Sequence, residues 1–257
     1  MSSSNAVPTT NVDMLSIRNA FAPTKAQPHA INEFYMGGSF VTGANSPYGP
    51  IPSSGTIDFG KFRGASLAVT GQEYPPVAMT TDSTTISGQS YGNGTYVASS
   101  SPMNQGYFDL NYRPWRLFNK NNGDFWHGYE FAYNSTGYYA NLGQPGYPQF
   151  KVSDYYGEWI QLQLPEGIVL KSYSLCKRNG DQGMPQNFKL YGSNNGSTWV
   201  VLDTQTGITG WVDSTFKTFT ISNSTNYSYY AIVANKVTLN TTKVNQRFIA
   251  GEWKLFN

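Results

Sequence analysis

The stretch that decides the fold is residues 157–203, GEWIQLQLPEGIVLKSYSLCKRNGDQGMPQNFKLYGSNNGSTWVVLD. Its segment IQLQL alternates apolar and polar residues, which places Ile160, Leu162 and Leu164 on one face of an extended chain. Pro-Glu-Gly follows at 165–167 and is typical of the end of a strand. This pattern predicts a β-strand with one buried face and one wet face, as in antiparallel sheets.

Similar strand-like stretches follow along the chain, each bounded by Gly, Pro, Asn or Asp. They are residues 171–177, 187–191, 198–204, 216–222, 227–235 and 248–256. Tight-turn signals occur at Gly-Asn-Gly 92–94 and at Ser-Asn-Asn-Gly 193–196. Since the strands recur at regular intervals with no helical period between them, we expect an antiparallel β-sandwich or barrel. We expect Trp199, at the start of a strand, to cover the end of the sandwich.

Composition narrows the functional classes. Of 257 residues only 12% are charged, the net charge is +2, and 16% are aromatic. No cluster of Lys and Arg is present, so no nucleic-acid partner is predicted. No apolar run is long enough to form a transmembrane helix, so no membrane insertion is predicted. The first fourteen residues lack the features of a classical signal peptide. The single cysteine, Cys176, is expected to be a buried thiol.

Residues 1–66 differ from the rest, since they are rich in Gly, Pro, Ser and Ala and poor in strand pattern. They contain a short repeat at 14–18, 31–35 and 59–63, in which two apolar residues lie three positions apart, as on one helical turn. A single turn is not stable alone. We therefore predict an N-terminal docking arm, 1–66, followed by a β-sandwich, 67–257. The three short helical turns of the arm would dock on the β-sandwich, on a sister subunit or on a larger assembly. An ordinary irregular arm is the alternative.

Residues 74–257 resemble discoidin-like domains, also called coagulation factor 5/8 type C domains. The residues that match this family's characteristic motif are Pro185, Phe188, Leu190, Gly192, Ser193, Asn195, Gly196 and Trp199. The resemblance implies an all-β, antiparallel jelly-roll β-sandwich similar to galactose-binding domains.

The N-terminal stretches NVDMLSIRNAF, INEFYMGGSF and IPSSGTIDFGKFRGAS resemble a recurring segment of virion structural proteins of tailed phages and large algal DNA viruses. Residues 22–30, APTKAQPHA, depart from that pattern in lacking its usual glycine. The resemblance implies a capsid or tail protein, made in the host cytoplasm and located in the virion. Its partners would be other virion proteins, reached through the arm, and many copies on one particle would supply avidity.

A structural Ca²⁺ site is implied by the discoidin-like resemblance. The loop at 119–124 offers amide and carboxylate oxygens, the hard ligands that calcium prefers. The predicted ligands are Asn119, Asn122, Asp124 and Glu252, and Asn119 stands where the family usually has Asp. A plain Asn/Gly turn is the alternative.

A glycan site would use aromatic rings for the C–H faces of a sugar and planar polar groups for its hydroxyls. The predicted residues are Trp126, His127, Tyr156, Arg178, Asp181 and Trp211, with Tyr155 and Asn179 as further candidates. For each of them, a role as a core residue, a rim residue or a solvated side chain is the competing interpretation.

No catalytic motif occurs, and His29 and His127 are the only histidines. We therefore predict a binding protein and not an enzyme. A virion protein that binds host-surface carbohydrate or neighbouring subunits is the leading hypothesis. The alternatives are a minor capsid or cement protein with no sugar site, a cellular lectin, and a carbohydrate-active enzyme with two close carboxylates.

Overall fold

The computed structural model describes residues 71–101, 110–140, 150, 152, 155–180, 182–239 and 246–257, and the main chain alone at Ala44–Asn45 and Ser66–Leu67. These two dipeptides are strands β1 and β2, which pair antiparallel. The three predicted helical turns lie outside the described residues. The arm and the domain boundary at residue 66 therefore stay predictions.

The remaining strands form two main sheets and one short ribbon. Their bounds are β3 Glu73–Tyr74, β4 Ser83–Ile86, β5 Gly94–Ser100, β6 Trp126–His127, β7 Glu158–Ile168, β8 Ser172–Cys176, β9 Pro185–Ser193, β10 Val200–Gln205, β11 Phe216–Thr220, β12 Tyr227–Val237, β13 Ile249–Ala250 and β14 Glu252–Phe256. The six-stranded sheet has the order β10-β9-β12-β7-β5-β4, the four-stranded sheet has the order β11-β8-β14-β3, and β13 pairs with β6. The predicted all-β antiparallel sandwich is confirmed.

Helical structure is minor in the described part of the chain. Two short 3-10 helices, Leu110–Tyr112 and Pro114–Phe118, lie between β5 and β6. Pro114 starts the second of them, where its missing N–H costs nothing. Among the described residues, no helix is long and apolar enough to cross a membrane.

The core lies between the two main sheets. Ile160, Leu162 and Leu164 of β7 are buried, as their alternation predicts. In the four-stranded sheet, Leu175 of β8 and Trp253 of β14 are buried as well. Removing such side chains from water supplies the main driving force for folding.

One polar contact joins strands of the two sheets within this core. The Tyr173 hydroxyl of β8 donates a 2.7 Å hydrogen bond to Asp203 Oδ2 of β10. This bond gives the fully buried phenol a hydrogen-bond partner.

The other face of the six-stranded sheet carries a smaller cluster of apolar side chains. Phe150 packs there against Trp159, Tyr191 and Trp199, with ring centroids 5.7, 5.5 and 4.8 Å apart. Trp199 therefore lies on this outer face, and the prediction that it covers the end of the sandwich is wrong. The strand register explains this position. Tyr191 pairs with Ala231 on the outer face, and the two side chains give the Trp199 ring an apolar surface to cover.

Two further local predictions are confirmed. Gly196 has a φ of +66°, and the Ser193 hydroxyl accepts hydrogen bonds from the N–H groups of Asn195 and Gly196, as the predicted tight turn requires. Cys176 is a free, fully buried thiol, and burial raises its pKa to about 11.

Candidate functional site

Three loops meet beside the short ribbon of β6 and β13. One precedes β6, the second follows β8, and the third leads into β13. The main chain of His127 pairs with Ile249, and Gly128 N–H donates to Phe248 O at 2.8 Å. This pairing holds the chain around β6 against the residues that lead into β13.

The side chains of Tyr112, Phe125, His127 and Arg178 pack together at this place, and we call them the aromatic–arginine site. The guanidinium carbon of Arg178 lies 3.5 Å from the ring centroid of Phe125. The Tyr112 ring centroid is 4.8 Å from that of Phe125 and 4.4 Å from that of His127. A planar cation over an aromatic face is held by the ring quadrupole, so the donors of Arg178 are oriented before any ligand arrives.

His127 is neutral at neutral pH. Burial is the main cause and lowers its pKa to about 4; the nearby Arg247 and Arg178 act in the same direction. The bond to Gly128 O and the charge of Glu130 oppose the shift. The Nδ1–H donates to Gly128 O at 2.7 Å in the neutral form. This tautomer leaves Nε2 as an acceptor, and no hydrogen bond to it occurs within the described residues.

An ion pair borders the aromatic–arginine site. Arg247, just before β13, pairs with Glu130, just after β6. The Arg247 side chain is mostly buried, while that of Glu130 is 44% exposed. A partly exposed carboxylate therefore lies near His127 and can accept a hydrogen bond from a ligand hydroxyl.

Glu158 stabilises the main chain on both sides of this ion pair. Its buried carboxylate accepts hydrogen bonds from the N–H groups of Tyr129 and Phe248. Burial raises the Glu158 pKa to about 8, against the two hydrogen bonds and Arg247, which lower it. A Cβ at position 128 would overlap the Glu158 carboxylate, so glycine is required there.

The structure brings together two of the predicted glycan residues, His127 and Arg178. Trp126 does not join them: its ring is fully buried, and Nε1–H donates to Ser100 Oγ at 3.0 Å. The prediction that Trp126 faces a sugar is therefore corrected. Neighbouring residues of a strand point to opposite faces, so Trp126 and His127 cannot both line one site.

The other predicted glycan residues have separate positions. Tyr156 is exposed, and its carbonyl accepts a hydrogen bond from Asn235 Nδ2. Trp211 lies 5.5 Å from Lys217 Nζ, measured to the ring centroid. No ring contact or hydrogen bond between Tyr156 and His127 is found in the described ranges. Asp181 lies outside those ranges.

Two further candidates take different roles. Tyr155 packs with the outer-face cluster, and Lys189 Nζ is 4.5 Å from its ring centroid. Asn179 is exposed in the loop after β8.

Sequence reasoning missed four residues in or beside the site: Tyr112, Phe125, Glu130 and Arg247. Phe125 had a usable signal, because it stands two positions before His127 and so shares its face of an extended chain. The other three carry no local signal, since loops that are distant in sequence bring them together.

The predicted cation ligands divide into two groups. Glu252 is buried; its Oε1 accepts a 2.9 Å hydrogen bond from Asn121 N–H, and its Oε2 is buried without a hydrogen-bond partner. Burial raises the Glu252 pKa to about 8. The carbonyl oxygens of Asn122 and Asp124 lie 3.7 and 3.5 Å from the position a Cβ on Gly251 would take. These oxygens have the chemistry that calcium prefers.

The side chains of Asn119 and Asp124 fit a cation less well, because they are bound to each other and to neighbours. Asn119 Nδ2 donates to Asp124 Oδ2 at 2.8 Å, and Arg116 forms an ion pair with the same oxygen. Asn119 Oδ1 accepts the N–H of Asn121. In the described part of the chain, no three His, Cys, Asp or Glu side chains form a metal-binding group. A cation here would rest on Glu252 and main-chain carbonyls, and calcium stays a prediction.

The fold and the site define the class of protein. It is an antiparallel β-sandwich whose loops form a site of aromatic rings and charged groups. No family model matches the chain, and no curated protein matches it. Among solved structures it is similar to the carbohydrate-binding module CpGH89CBM32-5 of Clostridium perfringens, in complex with GalNAc-β-1,3-galactose, at 15% identity and a TM-score of 0.42, covering 63% of this chain and 94% of that one.

Two other solved structures are similar to the same degree. The family 32 module of NanJ from Clostridium perfringens, in complex with galactose, has 15% identity, a TM-score of 0.42, and coverage of 63% of this chain and 93% of that one. The family 32 module of AlyQ, in complex with 4,5-unsaturated mannuronic acid, has 14% identity, a TM-score of 0.42, and coverage of 63% and 94%.

Proposed function

We propose that the β-sandwich is a carbohydrate-binding module whose ligand site is the aromatic–arginine site. The observation that carries the proposal is the placement of Arg178 over Phe125 beside a neutral His127. Arg178 offers several oriented donors, while His127 Nε2 and the Glu130 carboxylate offer acceptors. Sugar hydroxyls both donate and accept hydrogen bonds, so this mixture of groups suits them.

The test is a glycan array with the full chain, with and without Ca²⁺, followed by calorimetry on the best ligand. Arg178→Ala should lower the affinity for that ligand at least about tenfold, since a charged hydrogen bond is lost. Lys171→Ala is the control, because Lys171 is an exposed cation at the opposite end of β8 from Arg178, where its Nζ donates to Asn223 O. A folded protein that binds no glycan, or equal effects of both variants, would contradict the proposal.

We propose in addition that the module belongs to a virion structural protein, with the arm at 1–66 binding other virion proteins. The support is the resemblance of the N-terminal stretches. The mature protein would be located in the particle in many copies, and weak single sites would then gain avidity. Mass spectrometry of purified particles should detect the chain at high copy number. Its absence from particles would favour the cellular lectin.

A cement protein without a sugar site is the second candidate. It is favoured by the partly buried apolar residues that cover the outer-face cluster, which are Val152, Tyr155, Trp159 and Trp199. It predicts binding to assembled particles that is insensitive to Arg178→Ala and lost in Trp159→Ala. Trp159 is half-buried on that face.

A further inference from the structure

A turn with an aromatic tip follows β6 directly. Ala132 N–H donates to Tyr129 O at 3.1 Å, which closes the turn. Phe131, at its tip, is 59% exposed, more than the other aromatic side chains found exposed in the described ranges. The rings of Tyr129 and Phe131 are 5.7 Å apart in an edge-to-face arrangement. Tyr129 is half-buried, so the open aromatic surface of this turn is that of Phe131.

Two contacts anchor this turn beside the aromatic–arginine site, and the chain itself limits how far the tip can lie from it. Glu130, between the two rings, pairs with Arg247, whose charge also acts on His127. The N–H of Tyr129 donates to the buried Glu158 carboxylate. The Phe131 Cα stands four residues from that of His127, so at most roughly 14 Å separates them. The tip therefore borders the same site at a fixed position.

The aromatic–arginine site has polar groups but little free aromatic face. Arg178 covers one face of Phe125, and Tyr112 packs against both Phe125 and His127. A pyranose also needs an apolar surface for its C–H face. Phe131, with Tyr129 packed edge-to-face against it, is the neighbouring ring that can supply it.

We propose that Tyr129 and Phe131 form a second subsite, which stacks against the next sugar of the chain bound at Arg178 and His127. The inference rests on the proposed function and deepens it: the ligand is an oligosaccharide of at least two residues. Glu130 lies between the subsites, and its carboxylate accepts a hydrogen bond from a hydroxyl of either sugar. A single sugar occupies only the polar subsite and binds more weakly.

The experiment is calorimetry on the full chain, with the best array oligosaccharide and with its terminal monosaccharide. Phe131→Ala should lower the affinity for the oligosaccharide about five- to tenfold and leave the monosaccharide affinity unchanged. Phe131→Trp keeps a ring and should keep the oligosaccharide affinity. Tyr138→Ala is the matched control, since it removes a ring, 43% exposed, that packs under Lys236 and belongs to neither subsite.

The outcomes separate the two proposals. If the wild-type protein binds no glycan, the proposed function fails and the subsite fails with it. If the wild-type protein binds and Arg178→Ala abolishes binding while Phe131→Ala changes nothing, the second subsite alone is overturned. Equal losses for oligosaccharide and monosaccharide in Phe131→Ala also overturn it. A fourth outcome is binding to phosphatidylcholine–phosphatidylserine vesicles that is lost in Phe131→Ala while the oligosaccharide affinity is unchanged. This result would assign the tip to a lipid surface and would also overturn the second subsite.

Discussion

Arg178 and Phe125 form one cation–aromatic pair, with the guanidinium carbon 3.5 Å from the ring centroid, although one residue follows β8 and the other precedes β6. The pair joins two loops and aligns the donors of Arg178. Arg178→Lys should therefore bind the array ligand about as poorly as Arg178→Ala, because a lysine ammonium lacks the planar set of donors.

Phe125→Leu isolates the contribution of the ring. Leucine keeps an apolar contact but removes the quadrupole under Arg178, so we expect a two- to fivefold loss of glycan affinity, on the order of 0.5–1 kcal/mol. Thermal unfolding should be nearly unchanged, since Phe125 is only half-buried. A loss of affinity accompanied by an equal loss of stability would assign Phe125 to packing and not to the site.

The pH dependence of binding should reflect the neutral state of His127. Its pKa is lowered to about 4 in the folded chain, so below the Glu158 pKa of about 8 the glycan affinity should be flat from about pH 7 to about pH 5 and should fall as the pH approaches 4. A midpoint near 6.5, the ordinary value for histidine, would contradict this. The stability contribution has the same sign, because the folded chain binds fewer protons: it is complete above about pH 6.5 and is lost as the pH falls through 4.

Stabilisation of the fold by calcium should depend on the Glu252 carboxylate. The Glu252 pKa is raised to about 8, so in the absence of metal the folded chain holds an extra proton and loses stability as the pH rises from 4.5 to 8. A cation displaces that proton, and the apparent Ca²⁺ affinity should therefore rise with pH up to about 8. Thermal unfolding with and without Ca²⁺ measures the effect. Glu252→Gln should abolish it, and Glu166→Gln is a control outside the predicted ligand set. A Ca²⁺-dependent rise in the unfolding temperature that persists in Glu252→Gln would assign the metal to other residues.

Gly128 and Glu158 should be energetically coupled. Gly128→Ala forces a methyl group into the Glu158 carboxylate and should destabilise the protein by about 1–3 kcal/mol. In a Glu158→Ala background the space is open, so the same substitution should cost less. A double-mutant cycle by denaturant unfolding measures the difference. Additive effects would mean that the 128–130 turn relaxes away from Glu158.

Much of the fold was predictable because local chemistry determines it. The strand at 171–177 appears as Ser172–Cys176, and that at 227–235 as Tyr227–Val237. The stretch 248–256 was predicted as one strand but forms two, since Gly251 N–H donates to Cys176 O and separates Ile249–Ala250 from Glu252–Phe256. Gly251 is a local sign of that division, since an isolated glycine in a strand pattern often marks an irregularity, but its partner Cys176 comes from another strand.

The sequence by itself determined the sandwich, the tight turn at 193–196 and the presence of an arginine and a histidine suited to a polar ligand. Alternation and turn residues act between near neighbours, so they can be read directly. The tertiary structure alone decided that Arg178 lies on Phe125, that Arg247 meets Glu130, and that Trp126 is buried while Phe131 is exposed. These outcomes depend on which loops the paired strands bring together and on which face of each strand meets the core, and neither is encoded in the residues next to the site.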